Sequence, residues 1–308
     1  MSSNNSQQSL RKIITWLNEQ HPHLAVVMYD IGARLGIHYL YTELLNLQNF
    51  SVIGFEPDRK EVANLNNTAS SGIKKTFPFA LAESQASRTI FITKYPGCSS
   101  LYPPNKDLLE QYLVSDFFEV VGTETIETIS LDEFAQQFDV AQPDFLKIDT
   151  QGAEYEILQG GHLTLNQVTG IFLETQLREL YLGAALFPDI HSLLTYLGFR
   201  LIFCEYNADL GGEIVEFDLA YVRDSIDLEL EEDLVKAVLF CLIHHNLSFA
   251  AHLVRRSRVS EQKKSQILEL LSQPLHPSKI LVDPNDPYVN TKVELRKIHE
   301  AWWKTKSD

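Results

Sequence analysis

The sequence is short of positive charge, short of cysteine and without a long apolar run, and each shortage narrows what the chain can do. Lysine plus arginine number 26 against 41 acids, a net charge of −15. Such a chain repels a phosphate backbone, so nucleic acid is a poor partner, and adhesion to anionic lipid is disfavoured on the same grounds. No stretch approaches the roughly 20 apolar residues that span a bilayer, so no membrane span is expected. The polar start, Met1 to Gln8, lacks the charged opening and apolar centre of a secretory signal. Cys98, Cys204 and Cys241 are odd in number and scattered, which fits reduced thiols and a cytoplasmic location. His244, His245 and His252 have no cysteine or acid at ligand spacing, so they read as solvated or capping residues and no metal site is expected. No internal repeat is present. Apolar residues are plentiful, 44% of 308, which suffices for one large α/β domain and an appendage.

The chain is organised around Val26-Val-Met-Tyr-Asp-Ile-Gly-Ala-Arg-Leu-Gly36, an apolar run that ends in an acid and breaks into a glycine-punctuated turn. So few polar residues suit the middle of a parallel sheet covered on both faces. Gly32 and Gly36 let the backbone turn tightly and approach a ligand. A second apolar strand, Phe50 to Phe55, ends in Glu56, 20 positions after Gly36, where an acid can take the hydroxyls of a ribose. The glycine pair alone is a weak signal, because the three-glycine pyrophosphate fingerprint is incomplete. A dinucleotide brings two phosphates to a helix N-terminus, whereas Asp30, Glu56 and Asp149 surround this pocket with acids. That pattern favours a cationic cofactor that carries a ribose.

Three blocks, Asp30-Ile-Gly-Ala-Arg-Leu-Gly36, Gly54-Phe-Glu-Pro57 and Asp144-Phe-Leu-Lys-Ile-Asp-Thr-Gln-Gly-Ala-Glu154, together resemble the FkbM family of S-adenosylmethionine-dependent methyltransferases. The last block is the most specific. The resemblance runs over about residues 24 to 222 and takes in Ser99-Ser100 and Ile129 to Phe134. It implies a Rossmann-like class I methyltransferase fold, a seven-stranded, mostly parallel sheet with helices on both faces, with S-adenosylmethionine as cofactor. The implied reaction is methyl transfer, usually to a hydroxyl of a small molecule or sugar. Arg34 stands where many relatives carry asparagine.

Along the chain, residues 1–8 read as disordered and Leu10 to Glu19 as a short amphipathic helix with Ile13, Ile14 and Leu17 on one face. Ile37 to Leu47 reads as a crossover helix, and Pro57 stands at the start of a helix over Asp58 to Asn66. Thr76 to Leu81 is a strand candidate whose end, Ala80 to Ser84, lies where an adenine can rest. Arg88 to Lys94 alternates like an antiparallel insertion, and the Pro- and Gly-rich Tyr95 to Pro104 is either a pocket-shaping loop or a surface turn. Phe117 to Ile126 is a further strand, and Ser130 with Glu133 has the form of a capping box. Phe145 to Asp149 forms the next strand, with Phe145, Lys147 and Asp149 on one side. Thr150 to Glu154 opens a helix that stops at Gly160-Gly161, and Gly170 to Glu174 is a strand. A helix broken near Pro188 lies within Leu177 to Gly198, strands cover Gly198 to Phe203 and Asp218 to Val222, and a Gly211-Gly212 turn joins them. The expected divisions are residues 1–23 as tail and short helix, 24–223 as the methyltransferase domain and 224–308 as a C-terminal helical extension. Its helices are placed at Leu230 to His244, Val259 to Ser272 and Thr291 to Lys304, with Asn246 and a Pro-rich stretch, Pro274 to Pro287, between them. The first is apolar on nearly every face, so it packs on the catalytic domain or forms a homodimer contact. Trp302-Trp303 would cover an apolar patch or a partner.

The expected cofactor set is Asp30, Gly32, Ala33, Gly36, Glu56, Pro57, Ala82 and Asp149. Asp149, Glu154, Lys147 and His38 are the candidates for catalytic work, the base being sought among Glu154, His38 and Lys147. Lys147 has two readings. It is an ion pair to Asp30 or Glu174, which is preferred because a lone buried charge is very costly, or an acceptor-side base whose pKa burial lowers. Glu154, in a first helical turn, is stabilised by the helix dipole whether or not it faces the crevice. The expected partner is a small-molecule or carbohydrate hydroxyl acceptor. Two other classes stay open: a methyltransferase-like scaffold acting through its helical tail, to which Arg34 gives weight, and a nicotinamide-dependent oxidoreductase, which the missing glycine and the acids disfavour.

Overall fold

The apolar run ending in Asp30 forms strand β1, Val26–Ile31, buried along its whole length because helices cover both faces of its sheet. A computed structural model of the chain describes residues 2–68, 72–209, 213–224 and 230–272. The strands that follow are β2 (Phe50–Phe55), β3 (Lys75–Phe77), β4 (Ala80–Leu81), β5 (Ala86–Thr93), β6 (Val120–Ile129), β7 (Phe145–Ile148), β8 (Gly170–Gln176), β9 (Phe199–Asp209) and β10 (Ile214–Arg223). The α-helices are α1 (Ser2–Gln20), α2 (Arg59–Asn67), α3 (Lys106–Leu109), α4 (Leu131–Gln137), α5 (Glu154–Gln159), α6 (His162–Leu165), α7 (Phe187–Tyr196), α8 (Glu231–Ile243), α9 (Leu247–Arg256) and α10 (Glu261–Leu270).

The main sheet has seven strands in the order β3-β2-β1-β7-β8-β10-β9. Only β10 runs against the rest, since it pairs antiparallel with both β8 and β9. From β1 the chain first builds outward through β2 and β3, then returns to build the other side from β7. The gap between β1 and β7 is therefore the topological switch point, where ligands of such sheets bind at the carboxyl ends of the strands. A smaller sheet, β4-β6-β5, lies beside it. This is the class I methyltransferase architecture.

Alternation divides the sheet's side chains between two cores. Val26, Met28, Phe145, Phe172, Ala220 and Val222 face a layer made by α1, α8, α9 and α10. Tyr29, Ile31, Leu146, Ile148, Leu173 and Tyr221 face the layer that contains α4, α5 and α7. Helix α8 is apolar all round because it is enclosed by its own chain: Leu234, Val235 and every residue from Ala237 to Ile243 are buried. A β-carbon on Gly170 would sit 2.4 Å from the Phe240 ring, so β8 and α8 meet at a position that only glycine fills.

Several expectations change. Residues 2–8 are not disordered but extend α1, because Ser6 and Ser9 are small enough to continue the buried stripe of Leu10, Ile13 and Leu17. The first crossover is a 3-10 helix, Tyr39–Asn46. Helix α2 begins at Arg59 rather than Asp58, which is its cap, the carboxylate accepting the N–H groups of Lys60 and Glu61. The expected strand over Thr76 to Leu81 is two strands, β3 and β4, in different sheets. The expected strand over Phe117 to Ile126 begins later, at Val120, after a 3-10 turn over Ser115–Phe118. Helix α7 begins at Phe187 with Pro188 in its first turn, where a missing N–H costs nothing, so it is not a helix broken at Pro188. Asn246 separates no pair of distant helices. It caps α9, a helix over residues expected to be a connection, by accepting the Phe249 N–H. His244 caps the C-terminus of α8, one of the two readings offered for it, but it is buried rather than solvated, with Nε2 3.1 Å from the Tyr41 hydroxyl and its ring stacked on Phe172 at 5.0 Å. The Gly211-Gly212 turn, Pro274 to Pro287, the helix over Thr291 to Lys304 and Trp302-Trp303 lie outside the described residues. No described helix is long and apolar enough to cross a membrane.

Candidate active site

Backbone contact at the switch point explains the glycine that opens the loop. Gly32 has φ +81°, and a β-carbon there would meet the Asp149 carbonyl oxygen at 1.9 Å, so the loops after β1 and β7 touch main chain to main chain. The N–H groups of Gly32 and Ala33 both bond the Phe55 carbonyl, each at 3.0 Å, and the Gly36 N–H bonds the Ala33 carbonyl at 3.1 Å. These donors are used within the fold and form no cradle for a pyrophosphate. Gly36, at φ +90°, releases the chain toward His38.

Above this contact lies a cavity of about 1100 Å³. Its walls include the loop residues Gly32, Arg34 and Gly36, then Glu56 and Pro57 after β2, and Phe79, Ala80 and Leu81 before and in β4. Lys147, Asp149, Gln151, Glu174, Glu216 and His38 also line it. Asp30, Ala33, Ala82 and Glu154 do not form its wall. Asp30 is wholly buried beneath the loop and Ala33 behind it. Ala82 gives its N–H to Ile129, and Ala80 and Leu81 take the wall position expected of it.

Lys147 ties the site's floor together. Its Nζ lies 3.2 Å from Asp30 Oδ1, 3.5 Å from Asp149 Oδ2 and 3.0 Å from the Gly32 carbonyl oxygen, to which it donates. Asp30 and Lys147 are register partners on β1 and β7, so pairing them follows from the sheet itself. Burial alone would lower the lysine pKa, but the charges of Asp30 and Asp149 outweigh it and hold the pKa above the ordinary value. Lys147 is therefore a fixed cation, not the depressed-pKa base considered from sequence.

Glu154 is likewise turned away from chemistry. Oε1 accepts the Thr150 N–H and hydroxyl, both at 2.8 Å, and Oε2 accepts the Gly152 N–H at 2.9 Å. Burial raises its pKa to about 6, yet its role is to hold the turn that carries Gln151. Ser100 braces the same turn by donating to the Gln151 carbonyl at 2.6 Å, while Ser99 Oγ accepts the Thr93 N–H. Gln151, at φ +59°, gives its amide to Asp149 at 2.9 Å and to Glu174 at 2.8 Å. The Tyr181 hydroxyl lies 2.8 Å from Gln151 Oε1.

The acids are the site's main electrostatic feature. Burial, then the charge of Asp149, raises Glu216 to about 7; burial and Asp149 likewise raise Asp218 to about 7. Burial drives Glu174 well above its ordinary range. His38 is pushed the other way, to about 4, by burial and then by Lys147, so its imidazole is neutral. Glu216 and Asp218 escaped the sequence reading because they come from β10, far along the chain. The available signal was the alternation Glu216-Phe-Asp218, which puts both acids on one face; the pairing with β8 makes it the face of Phe172 and Phe145.

These residues fit S-adenosylmethionine. Glu56 follows β2, where an acid can bind a ribose, Phe79 and Leu81 offer apolar surface to an adenine, and the cavity lining carries the acids Asp149, Glu174 and Glu216 with no backbone cradle for phosphates.

Comparison with known proteins agrees with this. The Methyltransferase FkbM domain profile matches residues 30–201. The hexuronic acid methyltransferase AglP of Haloferax volcanii is 25% identical over 148 residues, 48% of this chain and 55% of that protein. The chain thus spans about half the length of that curated relative. Magnesium protoporphyrin IX methyltransferase from Synechocystis PCC 6803 with bound SAM aligns at TM-score 0.35 and 12% identity, over 71% of this chain and 80% of that one. The Methanococcus jannaschii fibrillarin pre-rRNA processing protein aligns at TM-score 0.36 and 10% identity, over 65% and 67%. Both structural likenesses are loose, and the fold assignment stands on strand order and direction instead. The FkbM profile, by contrast, covers more than half of the 308 residues and runs from β1 into β9, while β10, which carries Glu216, lies beyond it. The chain belongs to the FkbM family of methyltransferases, whose methyl donor is S-adenosylmethionine.

Proposed function

We propose that the chain methylates a hydroxyl oxygen of an uncharged carbohydrate or small polyol, and that Glu216 accepts the hydroxyl proton. The observation that carries this reading is an acid with a pKa raised to about 7, lining the cavity beside Asp149. A base works best when its pKa lies near the operating pH, and a positioned one contributes typically ~100-fold or more. S-adenosylmethionine supplies an already activated methyl group on a sulfonium. The chain's own work is alignment: Glu56 would hold the ribose, the Gly32 to Gly36 loop the methionine part, and Phe79, Ala80 and Leu81 the adenine. Asp149 and Glu174, fixed through Gln151, would orient the acceptor's hydroxyls, and well-oriented reactants gain ~7 to 11 kcal/mol from alignment. The sugar-methylating relative supports a carbohydrate acceptor, but beside Lys147, whose charge Asp30 and Asp149 already balance, the cavity is lined by the acids Glu174 and Glu216, which suits a neutral polyol better than a uronate.

The test is transfer of labelled methyl from S-adenosylmethionine to a panel of neutral glycosides and polyols, followed by pH–rate profiles. The wild-type rate should fall on the acid side near pH 7. Glu216→Gln should lower kcat ~100-fold and remove that limb, whereas His38→Asn should leave it in place. An unchanged acid limb in Glu216→Gln refutes the base assignment.

A further inference from the structure

The acid that should receive the ribose is covered. Glu56 follows β2 on the cavity wall, yet its side chain is only 5% exposed, and the Arg34 guanidinium is paired to it. Arg34 Nη2 is 3.4 Å from Glu56 Oε1 and 3.0 Å from Asp58 Oδ2. The same Glu56 oxygen accepts the Asp58 N–H at 2.9 Å, which fixes the carboxylate from below. A ribose diol that binds a carboxylate through both hydroxyls needs both oxygens, so one of them must first lose its arginine.

We propose that Arg34 is a latch on the ribose subsite, which ligand hydroxyls displace from Glu56 while Asp58 keeps hold of the guanidinium. This deepens the cofactor assignment and rests on it. Asp58 is the natural second seat. It is the closer partner, its side chain is 41% exposed, and burial, which would raise its pKa, is outweighed by the Arg34 hydrogen bond and the α2 N–H groups, so it stays charged. Glu56 is the weaker seat, since burial raises its pKa against the pull of Asp58 N–H and Arg34. The latch makes entry selective. A ligand with a 2′,3′-diol replaces the lost guanidinium contact with its own hydroxyls, whereas one without the diol leaves the latch shut. Arg34 thus acts as a specificity-determining residue for the sugar of the cofactor rather than as a contact for its charge.

Calorimetric titration of S-adenosylhomocysteine, adenosine and 2′,3′-dideoxyadenosine into wild type, Arg34→Asn and Arg34→Lys tests this. Arg34→Asn should bind S-adenosylhomocysteine and adenosine about fivefold more tightly, the equivalent of an ion pair worth about 1 kcal/mol. It should bind dideoxyadenosine no more tightly than wild type does. Arg34→Lys, which keeps the charge but not the planar fork, should fall between. Melting temperatures within about 2 °C of wild type verify that the fold is intact. Weaker or unchanged binding of S-adenosylhomocysteine by Arg34→Asn overturns the latch, as does an equal gain for the dideoxy ligand. If all three folded proteins fail to bind S-adenosylhomocysteine, the cofactor assignment falls, and the latch falls with it.

Discussion

Replacing Lys147 by methionine tests whether the floor of the site is an electrostatic unit. The substitution nearly preserves length and apolar bulk, so its effect comes from charge. Asp30 is 0% exposed and Lys147 5%, and removing one partner of so buried a pair costs about 3 to 5 kcal/mol because the other charge is left without compensation. Asp30 can soften this by taking a proton, since burial already raises its pKa and Lys147 is the main influence lowering it. We therefore expect the lower end, about 3 kcal/mol at pH 7. With a urea m-value of about 3 kcal/mol/M, the unfolding midpoint moves down by roughly 1 M. The pH dependence has a definite sign. In the variant the folded state holds the Asp30 proton more tightly than the unfolded state, so the deficit shrinks as pH falls and grows as pH rises. Asp30→Asn combined with Lys147→Met should recover at least half of the loss, because no charge is stranded. Loss of the Nζ contact to the Gly32 carbonyl should also weaken S-adenosylhomocysteine binding. A midpoint shift below about 0.2 M, or a double variant no more stable than the single, would falsify the account of Lys147 as a structural cation.

Two further outcomes follow from the same geometry. Glu216 and Asp218 titrate near 7 in the folded chain, against about 4.3 and 3.9 for unperturbed side chains, so the folded state binds their protons more tightly. Their contribution to stability is present at low pH and is lost as pH rises through 7; urea midpoints should be higher at pH 6 than at pH 8, and Glu216→Gln with Asp218→Asn should flatten that slope. Gly32→Ala combines a left-handed φ with a β-carbon 1.9 Å from the Asp149 carbonyl, so it should cost more than about 2 kcal/mol and part the two loops. Thermal melts and loss of S-adenosylhomocysteine binding would report it, and a variant that melts and binds like wild type would show that the loops do not depend on this contact.

Local chemistry made the first half of the site legible. The run into Asp30, the loop glycines, the acid after β2 and the strand Phe145 to Ile148 carry their meaning within a few residues, and so does the Ser130–Glu133 capping box, which forms as its spacing implies. The Asp30–Lys147 pair was readable because a buried lysine must find an acid. What escaped depended on distant partners. Glu154 follows Ala153 of the cavity wall directly, and only the folded turn reveals that its oxygens point back to Thr150 and Gly152. Glu216 joins the site through antiparallel pairing of β10 with β8, a register that one strand's pattern does not encode. The polar start of α1 hides its helix because Ser6 and Ser9, weak as local helix signals, are buried in a helix that packs on α8 and α10. The contacts of Arg34 required both ends of the Glu56–Asp58 corner.

The central claim is that the crevice between β1, β2 and β7 holds S-adenosylmethionine by its ribose on Glu56. Calorimetric titration of S-adenosylhomocysteine into wild type and Glu56→Ala measures this directly. The account predicts saturable one-to-one binding by the wild type and at least tenfold weaker binding by the variant, about 1.4 kcal/mol or more. Equal binding by the two proteins, or none by a folded wild type, would contradict it.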